Sequence, residues 1–232
     1  MRQIILDTET TGLSPALGHR IIEVAAVEMI NRRLTGNHYH CYLNPEREID
    51  SGAQQVHGIS LEFLQDKPKF AEVAQEFISF VSGGELVIHN APFDVGFLNH
   101  ELALLSLTPV ETFCASVIDT LKLAKELHPG QKNNLDALCR RYAIDNSNRT
   151  LHGALLDAEL LAEVYLAMTR GQESLMIEMG AATPDLTLET SLIPPLPLPV
   201  LLASAEELEA HAALLLDIDK ASKGACIWNT LD

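Results

Sequence analysis

Ile4-Ile5-Leu6-Asp7-Thr8-Glu9-Thr10-Thr11-Gly12 is the stretch that decides the fold: three apolar residues lead into two carboxylates, and a glycine follows. A short apolar run before a turn signal predicts a buried strand. Alternate side chains of a strand share a face, so Asp7 and Glu9 are predicted to point the same way. Two neighbouring buried carboxylates need a compensating charge, and a divalent cation commonly supplies it. The alternative interpretation is a solvated strand end before a turn.

The composition excludes several classes of protein. The net charge is −16, and residues 171–232 hold 10 acids and 2 bases. Tight autonomous binders of nucleic acid rely on Lys and Arg, so a nucleic-acid substrate would need help from a partner. No apolar run approaches the roughly 20 residues of a membrane span. The first residues lead directly into a strand and the four cysteines are far apart, which predicts a cytoplasmic protein without a signal peptide and with reduced thiols.

The order of predicted elements indicates an α/β fold, a mixed five-stranded sheet with helices on its faces. After the opening strand, strands are predicted at residues 20–30, 34–43, 85–89 and 114–118. Helices are predicted at residues 70–81, 92–105, 119–127, 134–142 and 154–168. Asn31-Arg32-Arg33 reads as a hairpin turn, and Asn90 is the predicted N-cap of the helix at 92–105.

The composition changes after Gly171. Residues 181–199 contain five prolines and no helical or alternating pattern, which predicts a linker. Residues 205–218 predict a short amphipathic helix with Ser204 as N-cap, and its apolar stripe needs a partner because a lone short helix is marginal in water. We therefore expect a domain at 1–170, a linker segment at 171–203 and a flexible tail segment with a short helix at 204–232.

Two further aspartates lie where chemistry is expected. Asp94 falls in the first turn of a helix that follows a strand, and ligands of mixed α/β sheets gather beyond strand ends. The alternative is a carboxylate that interacts with the helix dipole. Asp157 is a lone acid on an apolar face of the helix at 154–168, whose solvated stripe is Glu159 and Glu163. No Lys or Arg is expected beside Asp157, and unpaired buried acids are rare, so we interpret it as a metal ligand.

His152 precedes Asp157 by a spacing that does not share a helix face, so it is predicted to lie in the loop before the helix. A histidine in a loop beside a metal site suits a general base that takes a proton from water. The alternative is a surface histidine. Several hard oxygen ligands without cysteine favour two divalent cations, Mg²⁺ or Mn²⁺, that clamp a phosphate.

This pattern resembles the DEDDh exonuclease family, over about residues 1–170. The matching motifs are D-x-E at Asp7 and Glu9, then Asp94, then H-x₄-D at His152 and Asp157. Longer stretches also match: LDTETTGL, VHGI, ELVIHNAPFD and RTLHGALLDAELLAEVYLAM. Within the family, the chain is similar to the proofreading subunits of bacterial replicative DNA polymerases. The resemblance implies an RNase H-like fold and 3′→5′ hydrolysis of DNA that releases nucleoside monophosphates.

The resemblance also implies roles for individual residues. Asp7, Glu9 and Asp157 would hold the metals and contact the substrate, with Asp94 completing the metal set. His152 would activate water, and Thr10 and His57 would contact the terminal nucleotide. Some relatives carry an acidic substrate contact at the position of Gly52, so that contact is not expected in this chain.

The tail resembles the same subunits, which implies a role in a bacterial replisome. A glutamine followed by apolar anchors is similar to their peptide for the β sliding clamp, which implies clamp contacts by Gln172, Ser174, Leu175 and Ile177. The terminal helix and Trp228 match the region that holds the polymerase α subunit, which implies contacts by Leu208, Ala212, Leu215 and Trp228. Whether a small θ-like third subunit also binds is a question that the resemblance leaves open.

Two other functions are compatible with parts of this pattern. A free-standing RNA exonuclease of the same superfamily, similar to ribonuclease T or oligoribonuclease, is expected to lack the acidic tail or to carry a basic patch. A catalytically inactive interaction module is expected to lose at least one of the five chemical residues, and none is lost here.

Overall fold

A five-stranded mixed sheet forms the centre of the N-terminal part of the chain. The computed structural model describes residues 1–147, 149, 151–170, 203–222 and 228. The strands are β1 (Arg2–Thr10), β2 (Ile21–Ile30), β3 (Arg33–Tyr42), β4 (Glu85–Ile88) and β5 (Ser116–Asp119). Their order in the sheet is β3-β2-β1-β4-β5. The β1–β2 and β2–β3 pairs are antiparallel, and the β1–β4 and β4–β5 pairs are parallel, which confirms the predicted mixed sheet.

The helices follow the predicted order, with two additions. They are α1 (Ser51–His57), α2 (Leu61–Leu64), α3 (Phe70–Val81), α4 (Ala91–Leu104), α5 (Thr120–Leu127), α6 (Leu135–Tyr142), α7 (Ala154–Met168) and α8 (Ala205–Ala221). The short helices α1 and α2 were not predicted, because each buries a single side chain and therefore lacks an apolar stripe.

The two faces of the sheet pack against different helices. Ile4 and Leu6 of β1 lie in a core with α3 and α4. Ile5 lies in a second core with α5, α6 and α7. Because strand side chains alternate, Asp7 and Glu9 continue the face of Ile5, toward α7, whereas Thr8 continues the face of Leu6, toward α4. The position of each polar residue along β1 therefore determines from which face of the sheet its side chain enters the site.

Two local predictions are confirmed in position but differ in detail. The β2–β3 hairpin turns through Asn31 and Arg32, which both have positive φ, and Arg33 already belongs to β3. Asn90 is the N-cap residue of α4, as predicted, but its side chain makes no capping hydrogen bond, and its φ is 66°. Its backbone N–H instead donates to the Asp119 carboxylate at 3.1 Å, so the strand end at β5 stabilises this left-handed residue.

The C-terminal compact unit, Glu178–Asp232, is described here only through α8, its flanking residues and Trp228. The predicted helix is confirmed and runs to Ala221. Ser204 caps it as predicted: its hydroxyl accepts from the Glu207 N–H, and the Glu207 carboxylate accepts from the Ser204 N–H. No residue of α8 is buried, and Trp228 is exposed. The predicted linker and the clamp residues Gln172, Ser174, Leu175 and Ile177 lie outside the described residues.

Two predictions concern the character of the whole chain. Among the described residues, no helix combines the length and the apolar character needed to cross a membrane. Cys41, Cys114 and Cys139 are free thiols, as predicted, and Cys226 lies outside the described residues.

Candidate active site

A cavity of about 320 Å³ opens where β1 and β4 end, and it collects the five residues singled out from the sequence. Asp7 and Glu9 come from β1, Asp94 from α4, His152 from the loop before α7, and Asp157 from the first turn of α7. These segments are far apart in the chain, so the fold rather than the local sequence brings them together.

Asp7 and Glu9 lie on the same face of β1, as predicted. In the antiparallel pairing with β2, Asp7 stands opposite Ala25 and Glu9 opposite Glu23. The register shifts between Glu9 and Thr10, so the strand becomes irregular immediately after the second carboxylate. Such irregularities bend a strand and re-aim its side chains.

Asp94 reaches the cavity from the opposite face of the sheet. It is 3% exposed in the first turn of α4. The Thr8 hydroxyl donates to the Asp94 carboxylate at 2.7 Å. Thr8 therefore positions Asp94, a role that was not predicted because a threonine between two acids reads simply as a strand residue.

Asp157 is 3% exposed, on the dry face of α7 as predicted, while Glu159 and Glu163 are exposed. The expectation that no Lys or Arg lies beside it is wrong. Arg149 contacts both carboxylate oxygens of Asp157, with its Nη2 2.6 Å from Oδ2. Arg149 was missed because its segment, residues 145–150, reads as a polar loop, and nothing local shows that an arginine side chain folds back into the cavity.

His152 lies in the loop before α7, as predicted, and Gly153 is the N-cap residue of that helix. The backbone N–H of His152 donates to the Val56 carbonyl of α1 at 3.1 Å, while the His152 side chain is 45% exposed. Its Nδ1 lies 3.5 Å from the Asp157 carboxylate. Burial, and then the nearby Arg149 charge, lower the pKa of His152, so its ring is neutral at pH 7.

The donor set of this cavity fits divalent cations. One ligand atom each from Glu9, His152 and Asp157 lie within 4.8 Å of one another. Asp7 and Asp94 line the same cavity, and none of the three described cysteines does. Carboxylate oxygens with an imidazole nearby suit Mg²⁺ or Mn²⁺, whereas a structural zinc site would be expected to contain thiolates or more histidines.

The electrostatics show the charge that such cations would neutralise. Burial, followed by the charges of Asp94, Glu9 and Asp157, raises the pKa of Asp7 well above its usual range. Burial and Asp157 raise the pKa of Glu9 to about 8. Burial raises the pKa of Asp94 to about 7, although the hydrogen bond from Thr8 opposes the shift. Without cations, these acids resist ionisation near neutral pH.

Metal-free protein is therefore expected to lose stability as the pH rises. The folded-state pKa values of Glu9 and Asp94, about 8 and about 7, exceed the ordinary values of these side chains, 4.5 and 3.8. The folded state thus binds more protons than the unfolded state in this window, and the free energy of unfolding falls from about pH 5 to pH 8. Thermal melts in chelator should show it, and Glu9→Gln should flatten the slope. The matched control, Glu159→Gln on exposed α7 surface, should keep it; a slope unchanged by Glu9→Gln would contradict the assignment.

A second cavity of about 600 Å³ adjoins the first and contains Thr10, His57 and Gly52. Thr8, Glu9 and Phe93 line both cavities. The His57 Nδ1 accepts from the Ile59 N–H at 3.0 Å, so its proton lies on Nε2, which is buried and finds no hydrogen-bond partner among the described residues. The Thr10 hydroxyl is already committed to the Gly12 carbonyl at 2.7 Å. A polar group without a partner beside a cavity is a candidate ligand contact.

Comparisons with known proteins agree with this geometry. The family model described as "Exonuclease" matches residues 4–165. The chain belongs to the exonuclease family. The DNA polymerase III subunit epsilon of Escherichia coli (strain K12) is 52% identical over 237 residues, which cover 98% of this chain and 97% of that protein. The protein of the same name from Pasteurella multocida (strain Pm70) is 52% identical over 235 residues, covering 98% of this chain and 93% of that protein.

Solved structures of other exonucleases share the fold of this chain. Exonuclease X, solved in complex with 5′ overhanging duplex DNA, aligns with a TM-score of 0.56 and 28% identity, covering 72% of this chain and 90% of that chain. The nuclease domain of 3′hExo, described as a DEDDh family member bound to rAMP, aligns with a TM-score of 0.62 and 21% identity, over 72% of this chain and 90% of that chain. The predicted RNase H-like exonuclease fold is confirmed.

The enzyme is therefore a nuclease of the hydrolase class, in the branch of the DNA polymerase III epsilon subunits. The exonuclease domain together with the high-identity relatives supports 3′→5′ proofreading. The family depends on divalent metal ions, and this chain supplies a matching cluster of carboxylates and a histidine.

Proposed function

We propose that this enzyme removes mismatched 3′-terminal nucleotides from DNA as the proofreading subunit of a bacterial replicative polymerase in the cytoplasm. The observation that carries the proposal is the convergence of Asp7, Glu9, Asp94, His152 and Asp157 on one cavity beside a second, roomier cavity. The two cavities would divide the work between hydrolysis and recognition of the terminal nucleotide.

The chemistry assigns a role to each group of the first cavity. Asp7, Glu9 and Asp157 would hold two cations, Mg²⁺ or Mn²⁺, with Asp94 completing the set. When bound, the cations supply charge stabilisation to the phosphate and acidify the attacking water. Thr8 keeps Asp94 oriented through its hydroxyl. The neutral His152 ring takes the proton of the water, and its loop is anchored to α1 by the hydrogen bond from the His152 N–H to the Val56 carbonyl.

The second cavity would receive the terminal nucleotide. The His57 Nε2–H is a buried donor without a partner in the structure, so it suits an acceptor on the sugar or phosphate. Burial lowers the pKa of His57, which favours the neutral ring. Thr10 would contribute through its backbone and methyl group, because its hydroxyl is bound to Gly12.

A comparison of DNA with RNA tests this function against its main alternative. Single strands of one sequence, made as DNA and as RNA, are incubated with the purified chain and Mn²⁺, and mononucleotide release is timed. A proofreading enzyme should hydrolyse the DNA strand faster. Equal or faster release from RNA would favour the free-standing RNA exonuclease instead.

The C-terminal segment would tether the nuclease to its partners. In α8, Leu208 is 58% exposed and Leu215 only partly covered, so the predicted stripe is available for a partner. An exposed apolar helix face fits an apolar groove of another protein, which we propose to be the polymerase α subunit. Ala212 and Trp228 would join this contact, and residues 172–177 would bind the β sliding clamp. Tethering raises the local concentration of the nuclease at the primer end, which compensates for the weak binding to DNA expected of an acidic chain.

Truncation after Gly171 is expected to separate hydrolysis from assembly. The fragment contains every residue of both cavities, so it should still hydrolyse single-stranded DNA but no longer co-elute with the polymerase. In the full chain, Leu215→Asp should weaken co-elution, while Asp217→Asn, on the opposite side of α8, should leave it intact. Co-elution of the fragment as tight as that of the full chain would show that the nuclease domain itself is the binding surface.

A further inference from the structure

The guanidinium of Arg149 makes four polar contacts inside the first cavity. Its side chain is 5% exposed. Nε and Nη2 donate to the two oxygens of Asp157, and Nη1 donates to the Asp136 carboxylate of α6 at 2.8 Å. Nη2 also lies 2.9 Å from Nδ1 of His152. One side chain thus contacts a proposed metal ligand and the proposed base at once.

The contact with Asp157 opposes cation binding. Both carboxylate oxygens already accept from Arg149, so an arriving cation would share them with a positive charge in direct contact. Like charges at such distances repel strongly in a buried site. Cation and guanidinium therefore compete for Asp157.

The contact with His152 engages the ring nitrogen that a base needs. A guanidinium has no acceptor, so Nδ1 of His152 must accept from Nη2 with its lone pair. In the neutral ring the proton then lies on Nε2. Neither nitrogen has a lone pair available for a proton from water while this contact persists.

Asp136 offers Arg149 a place to remain after it leaves Asp157. Its carboxylate is 39% exposed and is also held by the Asn146 amide at 3.1 Å. Arg149 can therefore release Asp157 and His152 without becoming an unpaired buried charge, which would be costly.

We infer that Arg149 is an internal latch. In the metal-free enzyme its guanidinium contacts Asp157 and His152, and cation binding displaces it from both, so that its contact with Asp136 remains. Cation binding and release of the base are then one coupled event, so the base becomes available only in the loaded site. This inference rests on the proposed function, in which Asp157 holds a cation and His152 is the base.

Manganese affinity of the metal-free full chain, measured without DNA by calorimetry or by the signal of free Mn²⁺, tests the latch. If the latched form prevails about ten to one, Arg149→Gln should tighten the apparent affinity about tenfold. Arg141→Gln is the matched control for charge, because Arg141 bonds to Asn133 and the Lys132 carbonyl rather than to a carboxylate. It should bind as the parent does. Equal or weaker affinity of a folded Arg149→Gln variant would overturn the latch.

The parent protein provides a test that needs no altered residue at the latch. The Nε–H resonance of Arg149 should be protected from exchange with water in chelator. At saturating Mg²⁺, which is diamagnetic and therefore used here instead of Mn²⁺, the resonance should shift and lose its protection. An unchanged resonance would overturn the latch.

Asp157→Asn should weaken Mn²⁺ binding. If the variant binds Mn²⁺ as the parent does, the proposed metal site itself fails, an outcome distinct from failure of the latch alone.

Discussion

Asp7→Asn is expected to lower hydrolysis by about 10³-fold or more while making the metal-free protein more stable. The substitution removes a carboxylate that we propose to be a metal ligand and that lines the first cavity. It also removes an acid whose pKa is raised by burial and by the charges of Asp94, Glu9 and Asp157, so the folded state no longer opposes ionisation at that position. Turnover at saturating Mg²⁺ and melts in chelator measure the two effects, with Glu163→Gln as the exposed control.

Asp157→Asn should abolish hydrolysis equally but change stability in the opposite direction. Asp157 and Arg149 are both almost fully buried, and the asparagine would leave the guanidinium with Asp136 as its remaining carboxylate. Removal of one partner from a buried ion pair costs about 3 kcal/mol. The two aspartates thus differ in the free energy of unfolding although both are proposed metal ligands. Near-parental turnover by either variant at saturating Mg²⁺ would contradict the two-metal assignment.

His152→Ala is expected to lower turnover by about 10²–10⁴-fold with little loss of cation affinity. A base must be neutral to accept a proton, and burial and Arg149 lower the pKa of His152. The parent should therefore keep its activity at pH 7 and lose it only below the ordinary histidine pKa of about 6.5. Initial rates across pH 5 to pH 8 measure this limb of the profile.

The control for His152 is His38, an exposed histidine of β3 outside both cavities. His38→Ala should keep both the parental rate and the acid limb. If His152→Ala retains the parental rate and the same acid limb, the histidine is a loop residue and another group accepts the proton.

The sequence predicted the sheet because its strands carry strong apolar patterns that survive in the folded chain. The run from Ile4 to Leu6 is fully buried, as its composition required. The face of Asp157 followed from helical geometry alone, since every neighbour of that residue on α7 except Glu159 and Glu163 is apolar or small. Helices α1 and α2 could not be found in this way, because they bury almost nothing.

The contacts that cross between segments were beyond local patterns. The Thr8–Asp94 hydrogen bond joins residues 86 positions apart in the chain. Arg149 is only 8 positions from Asp157, yet its loop carries no periodic signal to show where its side chain points. The acids of the site could be predicted from the sequence because of their chemistry. The arginine that neutralises Asp157 in the absence of metal could be identified only from the fold.

Product analysis on a 3′-mismatched DNA primer tests whether this enzyme is a cation-dependent 3′→5′ exonuclease. The purified chain is incubated with a primer–template pair, with and without Mg²⁺ or Mn²⁺, and the released species are identified by mass. We predict nucleoside monophosphates released one at a time from the 3′ end, only in the presence of the cation, and faster from the mismatched than from the paired end. Release of oligonucleotides, release from the 5′ end, or undiminished hydrolysis in chelator would contradict the account.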